Sequence, residues 1–248
     1  MVKVVGDKKG ELTTAQLVTI IILIVSFIII LFLIFRLNPG EQTNKEICHN
    51  SVVLRAKSAG ISGPLDCRTN YLCISGGDEC TEIPTTSKAD VNLNGEESKD
   101  EVMESIAKEM SDCWYMFGEG KVNYGTAEGT SVKYALCSVI EFDEKVQEKI
   151  SEISYVEFYD YLRKTQKENS QSYLSYIYGV SDMSSLEIES EFSVNINQDK
   201  IKTSERYSII TGIDDNISPF PDEVLKVYII PTSETSSRLD QGEFITKA

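Results

Sequence analysis

The chain has 248 residues, with 24 Lys plus Arg against 39 Asp plus Glu, a formal charge of −15. That acidity repels phosphate backbones and argues against a nucleic-acid partner, while a single His excludes a multi-His metal centre. The apolar residues are unevenly placed: positions 12 to 35 carry no charge, and 19 of those 24 are apolar.

In chain order, residues 1–11 form a short arm carrying Lys3, Lys8 and Lys9. Residues 12–37 are predicted to be a single transmembrane helix, because LVTIIILIVSFIIILFLIF would rise about 28 Å, close to the roughly 30 Å of a hydrocarbon core. The lysines of the arm orient it with the N-terminus cytoplasmic, which places residues 38–231 outside the cytoplasm as a domain held at the cell membrane. All six cysteines, Cys48, Cys67, Cys73, Cys80, Cys113 and Cys137, fall in that outer part. An even count in an oxidising compartment reads as disulfides, and the spacings lack the close pairs of zinc ribbons. The expected connectivity joins Cys113 to Cys137 and leaves the other four stapling a loop-rich region.

A helix is expected over 42–59, with Ile47, Leu54 and Ile61 roughly seven apart and Gly60 just beyond the end, followed by an irregular region over 60–98 rich in Gly, Ser, Thr, Pro and Asp. Val102, Ile106, Met110, Cys113 and Phe117 recur at steps of four and three, predicting a helix over 99–117 closed by Gly118. Residues 132–142, VKYALCSVIEF, read as a strand. Asp143 then caps a helix to about 151, Ser154 and Glu157 cap a second over 155–165, and a third near 170–178 ends at Gly179. Alternation from Leu186 to Ile196 predicts a strand with one wet face, and 207–213 and 224–230 add further strands. Residues 232–248 read as a polar tail. The expected class is therefore α+β: an N-terminal transmembrane helix, then a disulfide-stapled ectodomain of several short helices and a small antiparallel sheet.

Lys8-Lys9-Gly10-Glu11-Leu12, set directly before the apolar run, resembles the leader of archaeal type IV prepilin-like proteins. The resemblance implies cleavage between Gly10 and Glu11, leaving the apolar helix as the new N-terminus. Ala15 departs from the pattern at the fifth position after the cut, where many relatives carry glutamate, and Asn38-Pro39-Gly40 breaks the run where pilin spines usually continue. The segments Pro64-Leu65-Asp66-Cys67-Arg68-Thr69 and Cys113-Trp114-Tyr115-Met116-Phe117-Gly118 also resemble a group of uncharacterised, membrane-anchored archaeal proteins.

One segment has the pattern of a metal loop. Asp90, Asn92, Asn94, Glu96 and Glu101 fit D-x-[DN]-x-[DN]-G-x5-E, in which alternating oxygens encircle calcium around a sharp glycine turn. A metal-free reading explains the same residues as an Asn94-Gly95 turn followed by a Ser98 to Glu101 capping box. His49 beside Cys48 has the composition of a thiol nucleophile and its base, yet a disulfide is the expected use of Cys48. Six of the twelve tyrosines lie between 155 and 178, either as an aromatic platform for a protein or glycan partner or as packing between short helices. Asn216-Ile217-Ser218 is a glycosylation sequon. No catalytic constellation stands out. The expected function is a structural, adhesive or partner-binding ectodomain rather than an enzyme, with a processed pilin-like subunit and a calcium-binding or enzymatic ectodomain as alternatives.

Overall fold

The computed structural model describes residues 14–36, 40–58, 65–125, 132–167, 171–186, 199–214, 223–238 and 243–246. The leader 8–12, the alternating segment 187–196 and the sequon at 216–218 lie outside the described residues. The chain divides into two units, Met1–Gln42 and Thr43–Ala248.

The first unit contains helix α1, Thr14–Arg36. Its large apolar side chains from Leu17 to Phe32 are exposed, and Ser26 satisfies its hydroxyl by donating to the Ile22 carbonyl at 2.8 Å. Among the described residues no helix is long and apolar enough to cross a membrane. The transmembrane helix expected over 12–37 is therefore not shown, which corrects the expected fold class.

In chain order the second unit carries helix α2 (Gly40–Lys57, beginning just before the unit boundary), strands β1 (Asn70–Ser75) and β2 (Ser87–Asp90), helix α3 (Ser98–Met116), and strand β3 (Val132–Phe142). Helix α4 (Glu144–Lys149), strand β4 (Glu152–Ser154), helix α5 (Tyr155–Lys164), strands β5 (Gln166–Lys167) and β6 (Gln171–Ser172), and helix α6 (Tyr173–Tyr178) follow. The chain continues through β7 (Lys200–Lys202), β8 (Tyr207–Asp214), β9 (Glu223–Pro231), α7 (Thr232–Arg238) and β10 (Glu243–Phe244).

The main sheet has the order β2-β1-β3-β8-β9, with β10 also paired to β3. It is mixed rather than antiparallel: β1 runs parallel to β2 and β3, β10 runs parallel to β3, and β8 and β9 are antiparallel to their neighbours. Strand β1 lies inside the region expected to be irregular, where the run NYLCIS pairs with β2 on one side and with β3 on the other. The polar tail expected over 232–248 instead contains α7 and β10. Thr232 and Thr235 of α7 meet the Ser208 hydroxyl of β8, and Glu243 and Phe244 pair with Lys133 and Tyr134.

The sheet register slips between Leu136 and Ser138 of β3, so Cys137 is the extra residue of a bulge. That residue is bridged to Cys113 of α3. Helix α3 follows the expected periodicity, burying Val102, Met103, Ile106, Ala107, Met110, Cys113 and Trp114. Helix α2 differs. Cys48 and Val52, one turn apart, are buried, whereas Ile47 and Leu54 are 41% and 63% exposed. The face is set by the Cys48–Cys67 bridge and by three contacts with α3: Lys45 to Asp112 at 2.6 Å, His49 stacked on Tyr115 with 4.4 Å between centroids, and the Tyr115 hydroxyl donating to Glu46 at 3.0 Å.

Helices α4, α5 and α6 begin at side-chain caps. Asp143 accepts from the Val146 N–H, Ser154 from Glu157 and Ser172 from Ser175. Gly179 closes α6 with φ of 73°, the left-handed geometry that glycine adopts without a Cβ penalty.

Candidate functional site

A dense polar arrangement lies where β1, β3 and the β1–β2 crossover meet. Strand β3 ends in Glu141-Phe142 and Asp143 follows as the cap of α4; both carboxylates sink inward, Glu141 to 8% and Asp143 to 2% exposure. The Glu141 carboxylate accepts the main-chain N–H groups of Thr81 and Glu82 at 3.0 and 3.2 Å. Asp143 accepts from the Ser75 hydroxyl, the Asp78 N–H and the Val146 N–H, each at 2.8 Å. Burial pushes the Asp143 carboxyl up, but the bonds from Val146, Asp78, Gly76 and Ser75 outweigh it and hold the group below the ordinary aspartate range. It therefore remains an anion at neutral pH.

A cleft of about 200 Å³ opens beside these groups, lined by Glu79, Glu82, Glu144, Glu205 and Arg206 among others. Arg206 lies 3.4 Å from Glu82, and Lys145 from the adjoining helix lies 2.8 Å from Asp78. The two buried carboxylates pin the crossover by accepting its main-chain N–H groups, which is the work of anchors rather than of proton carriers. Their one sequence signal was a pair of acids, Glu141 and Asp143, at the end of a mainly apolar strand.

The calcium-like loop is only partly assembled as the pattern expects. Asn92 donates its N–H to Glu101 Oε2 at 2.6 Å, and Asn94 donates its N–H to Asn92 Oδ1 at 3.0 Å. Asp90, at the end of β2, lies 3.3 Å from Lys88, while Glu96 is exposed in the turn before α3. One oxygen of the expected bidentate glutamate is thus engaged by the loop's own backbone. Among the described residues no group of three or more His, Cys, Asp or Glu side chains is placed to hold a metal ion. The Ser98 capping box is not formed either: Ser98 donates to the Gly95 carbonyl at 2.5 Å, and the N-terminus of α3 has no side-chain cap.

The six cysteines are brought together as Cys48–Cys67, Cys73–Cys80 and Cys113–Cys137, and none is free. Cys48 in a disulfide is no nucleophile for His49, whose Nδ1 lies 2.7 Å from the Tyr115 carbonyl.

The tyrosines divide into two groups. Tyr155, Tyr159, Tyr173 and Tyr178 are buried. Tyr161 and Tyr176 are partly exposed, and Tyr176 donates to Glu119 at 2.6 Å and carries the Lys167 ammonium 3.7 Å from its ring centroid. Glu119 sits between Gly118 and Gly120 in a left-handed turn with φ of 56°, a conformation that a non-glycine residue adopts at a cost. Burial raises its carboxyl, but Lys121, the Tyr176 hydroxyl and Lys167 together hold it below the ordinary range.

No protein-family model, curated protein or solved structure matches the chain.

Proposed function

We propose that the unit 43–248 is an extracytoplasmic domain with a structural, adhesive or partner-binding role and no catalytic one. The observation that carries this reading is the cysteine pairing: six cysteines form three bridges, and five of the six side chains are buried. Such a stapled architecture is at home in an oxidising compartment and rare in a reducing one. The buried carboxylates Glu141 and Asp143 support a non-catalytic reading, because both are bound to main-chain N–H groups. The exposed apolar surface of α1 offers an attachment face for lipid, and Tyr176 with its acidic and basic neighbours offers a polar aromatic face for a protein or glycan partner.

Labelling intact cells with a membrane-impermeant amine reagent tests the location. Modification of Lys88 and Lys121 without lysis is the expected result, and protection of both until lysis contradicts it.

A second reading, a processed subunit resembling archaeal type IV pilins, is favoured by the exposed apolar helix α1, which begins at Thr14, shortly after the Gly10-Glu11 junction in the sequence. Mass spectrometry of the mature N-terminus separates the two. A start at Glu11 supports processing, whereas an intact leader removes the pilin reading.

A further inference from the structure

We propose that Asn94-Gly95, in the loop between β2 and α3, is a site of spontaneous deamidation that rewrites the charge in front of α3. Both residues are exposed. Residues 93 and 94 form a turn, and the Asn94 side-chain amide has no hydrogen-bond partner among the described residues. Apart from its two chain neighbours, a Cβ at Gly95 would find nothing nearer than the Glu97 nitrogen at 3.7 Å, so no packed neighbour crowds this turn.

The chemistry uses only the chain and water. The Gly95 main-chain nitrogen gives up its proton to solvent and attacks Cγ of Asn94. The N–Cγ bond forms, the Cγ–Nδ2 bond breaks, and the amide nitrogen leaves as ammonia after taking a proton. The resulting cyclic imide adds one water and opens to aspartate or isoaspartate, with no oxidation or reduction. One neutral side chain becomes an anion beside Glu96 and Glu97, four residues before the first residue of α3, Ser98. The isoaspartate product also inserts a methylene into the main chain beside the Asn94 N–H bond to Asn92.

The other asparagines described are held differently. Asn44 and Asn50 lie within α2, where the following N–H groups serve the helix. The residue after Asn70 donates its N–H to Thr86 Oγ1 at 2.8 Å, Asn92 is followed by Leu93 packed against the core, and Asn123 by the buried Tyr124.

The test is peptide mapping of the full-length native protein aged in neutral buffer, following the tryptic peptide over residues 89–99, which contains both Asn92 and Asn94. Conversion to aspartate and isoaspartate is expected at Asn94 before any other described asparagine, and several-fold slower in Gly95→Ala with an unchanged thermal midpoint. Persistence of the Asn94 amide while Asn92 or Asn50 converts would overturn the proposal, as would an undiminished rate in Gly95→Ala.

Discussion

The Tyr178 hydroxyl donates to the main-chain carbonyl of Val227 at 2.7 Å, with both groups buried. Val227 belongs to β9, the last strand of the main sheet, and the Tyr155 hydroxyl reaches the Ile229 carbonyl of the same strand at 3.3 Å. An end strand carries main-chain groups that need partners. Two tyrosines from α5 and α6 supply donors to it, which gives the buried half of the tyrosine cluster a structural purpose. Burial also pushes the Tyr178 phenol well above its ordinary value, so the donor proton is retained across the usable pH range.

Tyr178→Phe therefore strands a buried carbonyl while keeping the ring. A loss of about 1–3 kcal/mol in unfolding free energy is expected from denaturant titration, and a smaller loss for Tyr155→Phe, whose bond is longer. An unchanged midpoint for Tyr178→Phe would show that β9 does not depend on this donor.

Asp143→Asn removes a charge that receives three bonds at 2.8 Å and caps α4. Hydrogen bonds to charged groups contribute about 1.5–3 kcal/mol, so destabilisation on that scale is expected. The folded carboxyl lies below its unfolded value, so its contribution is fully present above the unfolded pKa of about 3.9 and is lost as pH falls through the folded value. Stability measured from pH 6 downward should accordingly fall less steeply below about pH 4 in the variant. Parallel curves for the two proteins would contradict this.

Helices α4, α5 and α6 were legible because their signals are local: Asp143, Ser154 and Gly179 act within one turn of their own residues. Helix α3 was legible because its buried residues keep one period throughout. The inward face of α2 was not, since Ile47 and Leu54 look like core residues until Cys48 is tied to Cys67 and Lys45 to Asp112. Strand β1 and the parallel docking of β10 were hidden for the same reason, as a short strand is defined by a partner distant in sequence. The burial of Glu141 and Asp143 depends on the crossover N–H groups, which no spacing announces.

Gly212 and Gly95 form a contrasting pair. A Cβ at Gly212 would lie 2.5 Å from the Lys133 carbonyl oxygen on β3, so the strands could not keep their spacing. Gly212→Ala should cost about 1–3 kcal/mol, whereas Gly95→Ala should leave the unfolding midpoint nearly unchanged. Equal effects in the two variants would contradict the close approach of β8 to β3.

The bridges differ in the chain they close: the Cys113–Cys137 separation is 24 residues and the Cys73–Cys80 separation is 7. Chain-entropy arithmetic gives contributions of about 3.4 and about 2.4 kcal/mol. The Cys113→Ser/Cys137→Ser double variant should therefore lose more stability than Cys73→Ser/Cys80→Ser, as read from denaturant midpoints. The reverse order would contradict the arithmetic.

The central claim is that this domain is built for an oxidising compartment, and peptide mapping of the native protein without reduction tests it most directly. Cys48–Cys67, Cys73–Cys80 and Cys113–Cys137 linked, with no free thiol, is the result expected. Free thiols at all six cysteines would contradict it.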